Sequence, residues 1–338
     1  SQDALTGALQ TVRTPHLVVT HDAARFGGLP SHIEILGSGK IITDKNFRWD
    51  DRLHSRQLGG RRLAAAGPPH VISDGPLAAV VRVRGHYVAP QPGAKPEATA
   101  VYDWVYFRDR PLVLVRVRTE KFNDRDWDEQ HVLELTFSDK SFPCWAGGMP
   151  LRQAEFTGTK KGTTLPHWGA LVDGRSAVAL LRGGRPLIYD GLGGHGCYLL
   201  AHGEKAWAGW KAEHGPSRAF DAWYWIGAAD DPLAAVQQAA GGPIPSDAQG
   251  VLLSQQTDAL LARLREQAGA DDTPAGREKR WRLAVAERLV SSPADAGEID
   301  LPAWVEHGKS RSLHVAPSRE LGLALRVLKH VDGTQGAT

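Results

Sequence analysis

The strongest constraint on the fold is the stretch from residue 101 to 145, VYDWVYFRDRPLVLVRVRTEKFNDRDWDEQHVLELTFSDKSFPCW, where three runs of strict alternation follow one another with turn chemistry between them. Successive side chains of a strand point to opposite faces, so this pattern predicts three consecutive antiparallel strands. In the first run Tyr102, Trp104 and Tyr106 share one face and Asp103, Val105 and Phe107 the other. Arg108-Asp109-Arg110-Pro111 supplies the turn, after which Val113, Val115 and Val117 alternate with Leu114, Arg116 and Arg118. In the third run His131, Leu133, Leu135 and Phe137 alternate with Val132, Glu134 and Thr136. The expectation is a sheet greased on one side, with Tyr, Trp, Arg and Glu on the other as a platform for a polar, ring-shaped ligand.

The same rhythm extends in both directions. Residues 10–20, 31–36 and 40–43 read as a meander, the last two around Gly37-Ser38-Gly39. Residues 77–88, 170–181 (around the hairpin dipeptide Asp173-Gly174), 187–189, 197–201 and 222–226 read as further strands. From residue 231 the spacing turns helical, over 232–240, 255–267, 277–290 and 318–331, with stripes such as Leu260, Leu261 and Leu264 or Leu321, Leu325 and Leu328. Many strands before a few helices predict a mainly β protein. The expected division is a large antiparallel β-supersandwich over residues 1–230 and a helical C-terminal segment over 231–338. That segment would cover its stripes against the sandwich, another domain or a second copy of the chain.

Forty Lys and Arg against 38 Asp and Glu leave a formal charge of +2. A field of one sign is therefore absent, which argues against nucleic acid or a membrane surface as partner. No run approaches the roughly 20 apolar residues of a membrane-spanning helix. The start at Ser1-Gln2-Asp3 fits a mature secreted or periplasmic chain, or a segment of a longer protein. Cys144 and Cys197 admit one bridge or two thiols and have no metal-ligand spacing, so neither a metal nor another cofactor is expected. The run from Gly191 to Gly196 superficially resembles a dinucleotide fingerprint but lacks the helix and acid that the mechanism needs, and reads as a hairpin loop.

Residues 46–56 form the most polar-aromatic stretch of the N-terminal part, and in extended form they project Arg52, His54 and Arg56 from one face. Two fixed cations and an imidazole suit removal of a proton beside a uronate carboxylate, with Tyr106 protonating the leaving oxygen. Salt bridges to Asp50 and Asp51 on an exposed strand are the plainer account. His131 falls on the apolar face, directed away from Glu134, and reads as a core histidine. Among 11 tryptophans, Trp49, Trp104, Trp145 and Trp168 are candidates for stacking on sugar rings, with Arg116, Arg118 and Lys161 as further contacts to an oligosaccharide or polysaccharide. For hydrolysis by paired carboxylates, Asp50 or Asp51 with Glu134 is the available pair.

The run from Trp104 through Trp145, followed by Pro166-His167-Trp168-Gly169-Ala170-Leu171-Val172-Asp173-Gly174, resembles the galactose-mutarotase-like β-supersandwich of many carbohydrate-active enzymes. Within that group it is most like the central sandwich of exo-rhamnogalacturonan-lyase-like proteins, over approximately residues 5–230. Such lyases usually carry a helical toroid, for which about 100 residues of helical pattern are too few. Aldose epimerases of this fold use a His and a Glu, but their local motifs match no His or Glu here, so no residue role is carried over. The resemblance implies a carbohydrate-active protein. A polysaccharide lyase acting on a uronate-containing glycan is the leading expectation, with a glycoside hydrolase and a non-catalytic glycan-binding or scaffolding module as alternatives.

Overall fold

In the computed structural model, residues 9–75 and 78–242 are described, together with positions 262, 265, 273, 280 and 283 and two short strands further on. The chain opens with β1 (Leu9–Arg13), β2 (Leu17–Asp22), β3 (Pro30–Ile35) and β4 (Lys40–Thr43), which form a four-stranded meander. Next come β5 (Phe47–Trp49), β6 (Arg52–Ser55), β7 (Gly59–Ala65), β8 (His70–Asp74), β9 (Ala78–Val88) and β10 (Ala98–Phe107). They are followed by β11 (Leu112–Lys121), β12 (Glu129–His131), β13 (Glu134–Phe137), β14 (Cys144–Gly147), β15 (Arg152–Glu155) and β16 (Lys161–Thr164). The unit closes with β17 (Gly169–Val172), β18 (Ser176–Arg182), β19 (Leu187–Gly191), β20 (Gly196–Leu200), helix α1 (Gly203–Ala206), β21 (Ser217–Ala228) and helix α2 (Pro232–Gly241).

These strands pair antiparallel. Twelve make one long sheet in the order β12-β6-β7-β9-β10-β11-β21-β18-β17-β14-β15, with β8 beside β9. Five make a smaller sheet in the order β16-β19-β20-β13-β5. The fold is mainly β and antiparallel, as the alternation predicts. By contact the chain divides into two compact units, Ser1–Asp74 with Ala78–Ile244, and Gly75–Leu77 with Pro245–Thr338. Helix α2 corresponds to the run expected at 232–240, is capped by the Asp231 side chain on Ala234 N, and belongs to the first unit. In the second unit β22 (Ile299–Leu301) pairs with β23 (Arg311–Leu313). The helices expected over 255–267, 277–290 and 318–331 lie, single positions apart, outside the described residues.

Register decides which face of the long sheet is inside. Tyr102, Trp104 and Tyr106 stand opposite Val117, Val115 and Val113, so the aromatic face and the valine face are one and the same. That face is buried and forms the core with Trp49, Leu135, Phe137, Leu199 and Tyr224. The Trp49 ring meets Trp104 edge-on at 5.3 Å and Tyr224 at 6.2 Å. The opposite face carries Arg82, Arg84, Asp103, Arg116 and Arg118, with Arg82 bound to Asp103 through two 2.7 Å hydrogen bonds. The platform expected from alternation is thus corrected: its aromatic side chains point inward and its charged ones outward.

Two runs that read as single strands are each split between the two sheets. The chain leaves the small sheet after β5 and enters the long one at β6, with Asp50 and Asp51 between; it leaves β12 and enters β13 across Val132 and Leu133. Both crossings lie side by side, because β5 pairs with β13 and β6 with β12. Leu133 takes a left-handed φ of 57°, a conformation that L side chains adopt at a cost. The Asp51 carboxylate secures the corner, accepting from Leu133 N at 3.2 Å and from the hydroxyls of Tyr87 and Tyr102 at 2.5 Å each. Burial pushes the Asp51 carboxyl up to about 6, although those three donors favour its charged form.

Candidate active site

Where the two crossings meet, the broken alternation gathers groups that a continuous strand would keep apart. The reversal at Leu133 turns Glu134 to the side of His131, and the His131 Nδ1–H donates to Glu134 Oε2 at 2.5 Å. The reading of these two residues as pointing apart is corrected, because it assumed an unbroken strand. On the far side of the ring, His131 Nε2 lies 3.2 Å from Glu129 Oε2. Arg52, directly across from His131, reaches Asp50 at 2.6 Å and both Glu134 and Glu129 at 3.7 Å. Arg62 adds a 2.8 Å bond to the other oxygen of Asp50.

Depth separates these groups into two tiers. Asp50, His131 and Glu134 are buried, while the side chains of Arg52, Glu129, His54 and Arg62 are 23, 29, 38 and 65% exposed. His54 stands opposite Glu129 in the strand pairing, with Nδ1 3.9 Å from Glu129 Oε1. That nitrogen is shielded from solvent and has no hydrogen-bond partner among the described residues. Trp207, 48% exposed, follows α1 and sets its ring edge-on to His131 at 5.3 Å. Tyr198 lies within the field of Glu134: burial and, after it, that carboxylate push its hydroxyl upward.

A groove of about 1080 Å³ opens beside this cluster, lined in part by Arg52, His54, Arg61 and Arg62 over the bare backbone of Gly59 and Gly60. No carboxylate is among its described lining residues. Such a groove is large for a single small ligand and suits an extended anionic one. Among the described residues, no group of three His, Cys, Asp or Glu is placed to hold a metal ion. No helix among them is long and apolar enough to cross a membrane.

The residues singled out from sequence divide accordingly. Arg52 and His54 share a face and the groove, whereas Arg56 lies past the end of β6 in the hairpin turn, exposed, with its backbone N–H on Asp128. Tyr106 is enclosed in the core: His21 donates from Nδ1 to Gly28 O, so its Nε2 accepts the Tyr106 hydroxyl at 2.7 Å. Its proton is committed there and is not presented to the groove. Trp49, Trp104 and Trp168 are at most 3% exposed and pack in the interior, which removes them as sugar platforms. Trp145 is half-buried and lines a separate 490 Å³ hollow with Cys144. Arg116 lies 3.8 Å from Asp221, Arg118 is exposed on the outer face of the long sheet, and Lys161 is exposed on the edge strand β16. Cys144 and Cys197 are separate thiols.

Glu129, Trp207 and Arg62 escaped the sequence reading. The parity shared by Glu129 and His131 was visible, and so was that of Arg62 and Gly60. Nothing in local spacing reveals that β12 pairs with β6 and β6 with β7, which brings all four strand positions onto one surface.

No family model matches the sequence, and no curated protein matches it. The structure is similar to an alpha-mannosidase from Enterococcus faecalis V583, at 8% identity and a TM-score of 0.48 over 68% of this chain and 30% of that one. It is similar to an alpha-galactosidase from Lactobacillus brevis, at 9% identity and 0.43 over 75% and 41%. It is also similar to a galactose mutarotase related enzyme from Lactobacillus acidophilus, at 7% identity and 0.40 over 66% and 99%. The chain thus spans under half the length of the mannosidase and the galactosidase.

Proposed function

We propose that the protein is a carbohydrate-active enzyme that cleaves an acidic glycan by β-elimination, with His54 as the base. The observation that carries this reading is the setting of His54: its Nδ1 is turned to the Glu129 carboxylate at 3.9 Å, and its side chain, 38% exposed, lines a groove to which Arg52 and Arg62 belong and whose described lining holds no acid. Elimination from a uronate needs a base at the carbon beside the carboxylate and cations to draw charge onto that carboxylate as the proton leaves. Arg62, largely exposed, takes the part expected of Arg56, and Arg52 is held in place by its carboxylate partners. Trp207 supplies the exposed aromatic surface that the buried tryptophans do not.

A second reading, hydrolysis, is favoured by one feature: Arg52 gathers the carboxylates of Asp50, Glu129 and Glu134 within 4 Å of its guanidinium. Two of the three are buried, however, and a carboxyl must reach the glycosidic oxygen or the attacking water to act. Incubation with a panel of uronate-containing polysaccharides separates the readings. Ultraviolet absorbance from an unsaturated uronate supports elimination. New reducing ends without that absorbance support hydrolysis, and binding without either product identifies a glycan-binding module.

A further inference from the structure

The groove beside His54 leads onto a line of cations across the outer face of the long sheet. Its floor reaches Ala64 and Val88. Ala64 stands directly across from His86 and Val88 from Arg62, and Gly60, two residues before Arg62, stands across from His54, so all of these share one face. Two residues before His86 on β9 comes Arg84, and from it the register runs to Val101 of β10 and on to Arg118 of β11. Arg62, His86, Arg84 and Arg118 thus follow one another over a continuous surface.

The far end of this line has the form of a second binding place. Val101 lies in a hollow of about 400 Å³, lined also by Thr99, Arg118, Glu120 and Ser217. Arg84 and Arg118 flank Val101 from either side, roughly 10 Å apart by strand spacing, the length of a disaccharide. Both are exposed, whereas the neighbouring Arg82 is committed to Asp103 through two 2.7 Å bonds. An exposed guanidinium receives a carboxylate with two parallel hydrogen bonds, and Val101 offers an apolar floor to the C–H face of a sugar ring.

Resting on the reading of the His54 site as one for an acidic glycan, we infer that the glycan chain runs on from the groove across the outer face of the long sheet and seats a second stretch over Val101, its carboxylates on Arg84 and Arg118. Continuity with the groove selects the glycan among polyanions. His54 and Arg118 stand roughly 28 Å apart by strand spacing and rise, so affinity increases with chain length until the chain spans that distance. Glu120, exposed two residues beyond Arg118 on the same face, repels the chain and weakens binding.

The experiment measures calorimetric affinities for tetrasaccharides and decasaccharides of mannuronate, of galacturonate and of hyaluronan. It uses the His54→Ala background, so that no cleavage intervenes. The expected result is tighter binding of the decasaccharide of at least one series. The double variant Arg84→Gln with Arg118→Gln should weaken that decasaccharide by about fivefold or more and leave the tetrasaccharide unchanged, with an unaltered urea midpoint. Glu120→Gln should bind the decasaccharide more tightly. A length preference that survives the double variant, an equal loss for both lengths, or a Glu120→Gln variant that binds no better overturns the inference and leaves the reading of the His54 site intact. Single-stranded DNA bound through Arg84 and Arg118 more tightly than any decasaccharide overturns the choice of occupant. Binding of none of the oligosaccharides removes the acidic-glycan reading and the inference with it, whereas binding that follows chain length without an unsaturated product from the protein carrying His54 removes elimination alone and supports the track.

Discussion

Replacing Asp51 by Asn tests the corner that the site is built on. Asp51 is wholly enclosed, and burial lifts its carboxyl from the ordinary 3.8 to about 6. The folded protein therefore holds this proton more tightly than the unfolded chain does. The resulting stabilisation is fully present below pH 3.8 and is lost as pH rises through about 6. At about 1.4 kcal/mol for each tenfold change in proton affinity, the effect is about 3 kcal/mol. Asn cannot ionise, and the other titrating groups are common to both proteins. The stability difference between wild type and Asp51→Asn should therefore move by about 3 kcal/mol in the variant's favour between about pH 4 and pH 7. Any change in the hydrogen bonds to Leu133, Tyr87 and Tyr102 that does not depend on pH cancels in that comparison. Urea unfolding followed by tryptophan fluorescence at a series of pH values measures it. A difference that stays constant with pH, or that moves towards the wild type as pH rises, refutes the reasoning.

Other consequences follow from single contacts. Trp207→Ala should leave stability within about 0.5 kcal/mol, because the ring is half exposed, yet weaken glycan binding by about 1 kcal/mol in calorimetry. Arg52→Met should destabilise the fold by about 2 kcal/mol in urea titrations; this is less than the range for a fully buried pair, since the guanidinium is 23% exposed. Gly60→Gln should fold normally, as a Cβ there meets nothing within 4 Å, while its side chain enters the groove beside His54 and lowers affinity for long acidic oligosaccharides. Gly85→Ala should cost about 1–3 kcal/mol of thermal stability, because its Cβ would lie 2.6 Å from Leu63 Cδ1 and 2.9 Å from the Ala64 carbonyl oxygen.

The fold was legible wherever alternation ran without interruption, as in β9, β10 and β11, and where turn chemistry was local. Asp173 illustrates the second case: its carboxylate receives the backbone of Arg175 and Ser176 and closes the hairpin between β17 and β18. Alternation states which residues share a face and is silent on which face is buried. Tyr102, Trp104 and Tyr106 were misplaced for that reason, and only their register with Val117, Val115 and Val113 turns them inward. The site was half legible. Arg52 and His54 emerged from local parity, but their partners Glu129, His131 and Arg62 arrive through strand pairing, and Glu134 through the reversed backbone at Leu133. No spacing rule anticipates a left-handed leucine, because its cost is met by a buried aspartate 82 residues earlier in the chain.

The central claim is that His54 moves the proton in cleavage of an acidic glycan. The direct measurement is turnover by His54→Ala beside wild type on the best uronate polymer, with affinity for the same polymer determined by calorimetry. The expected result is a fall in kcat of at least about 100-fold, in the range for loss of a positioned general base, with affinity changed by no more than a few-fold. Full turnover by the variant, or a loss of activity matched by an equal loss of binding, contradicts the account.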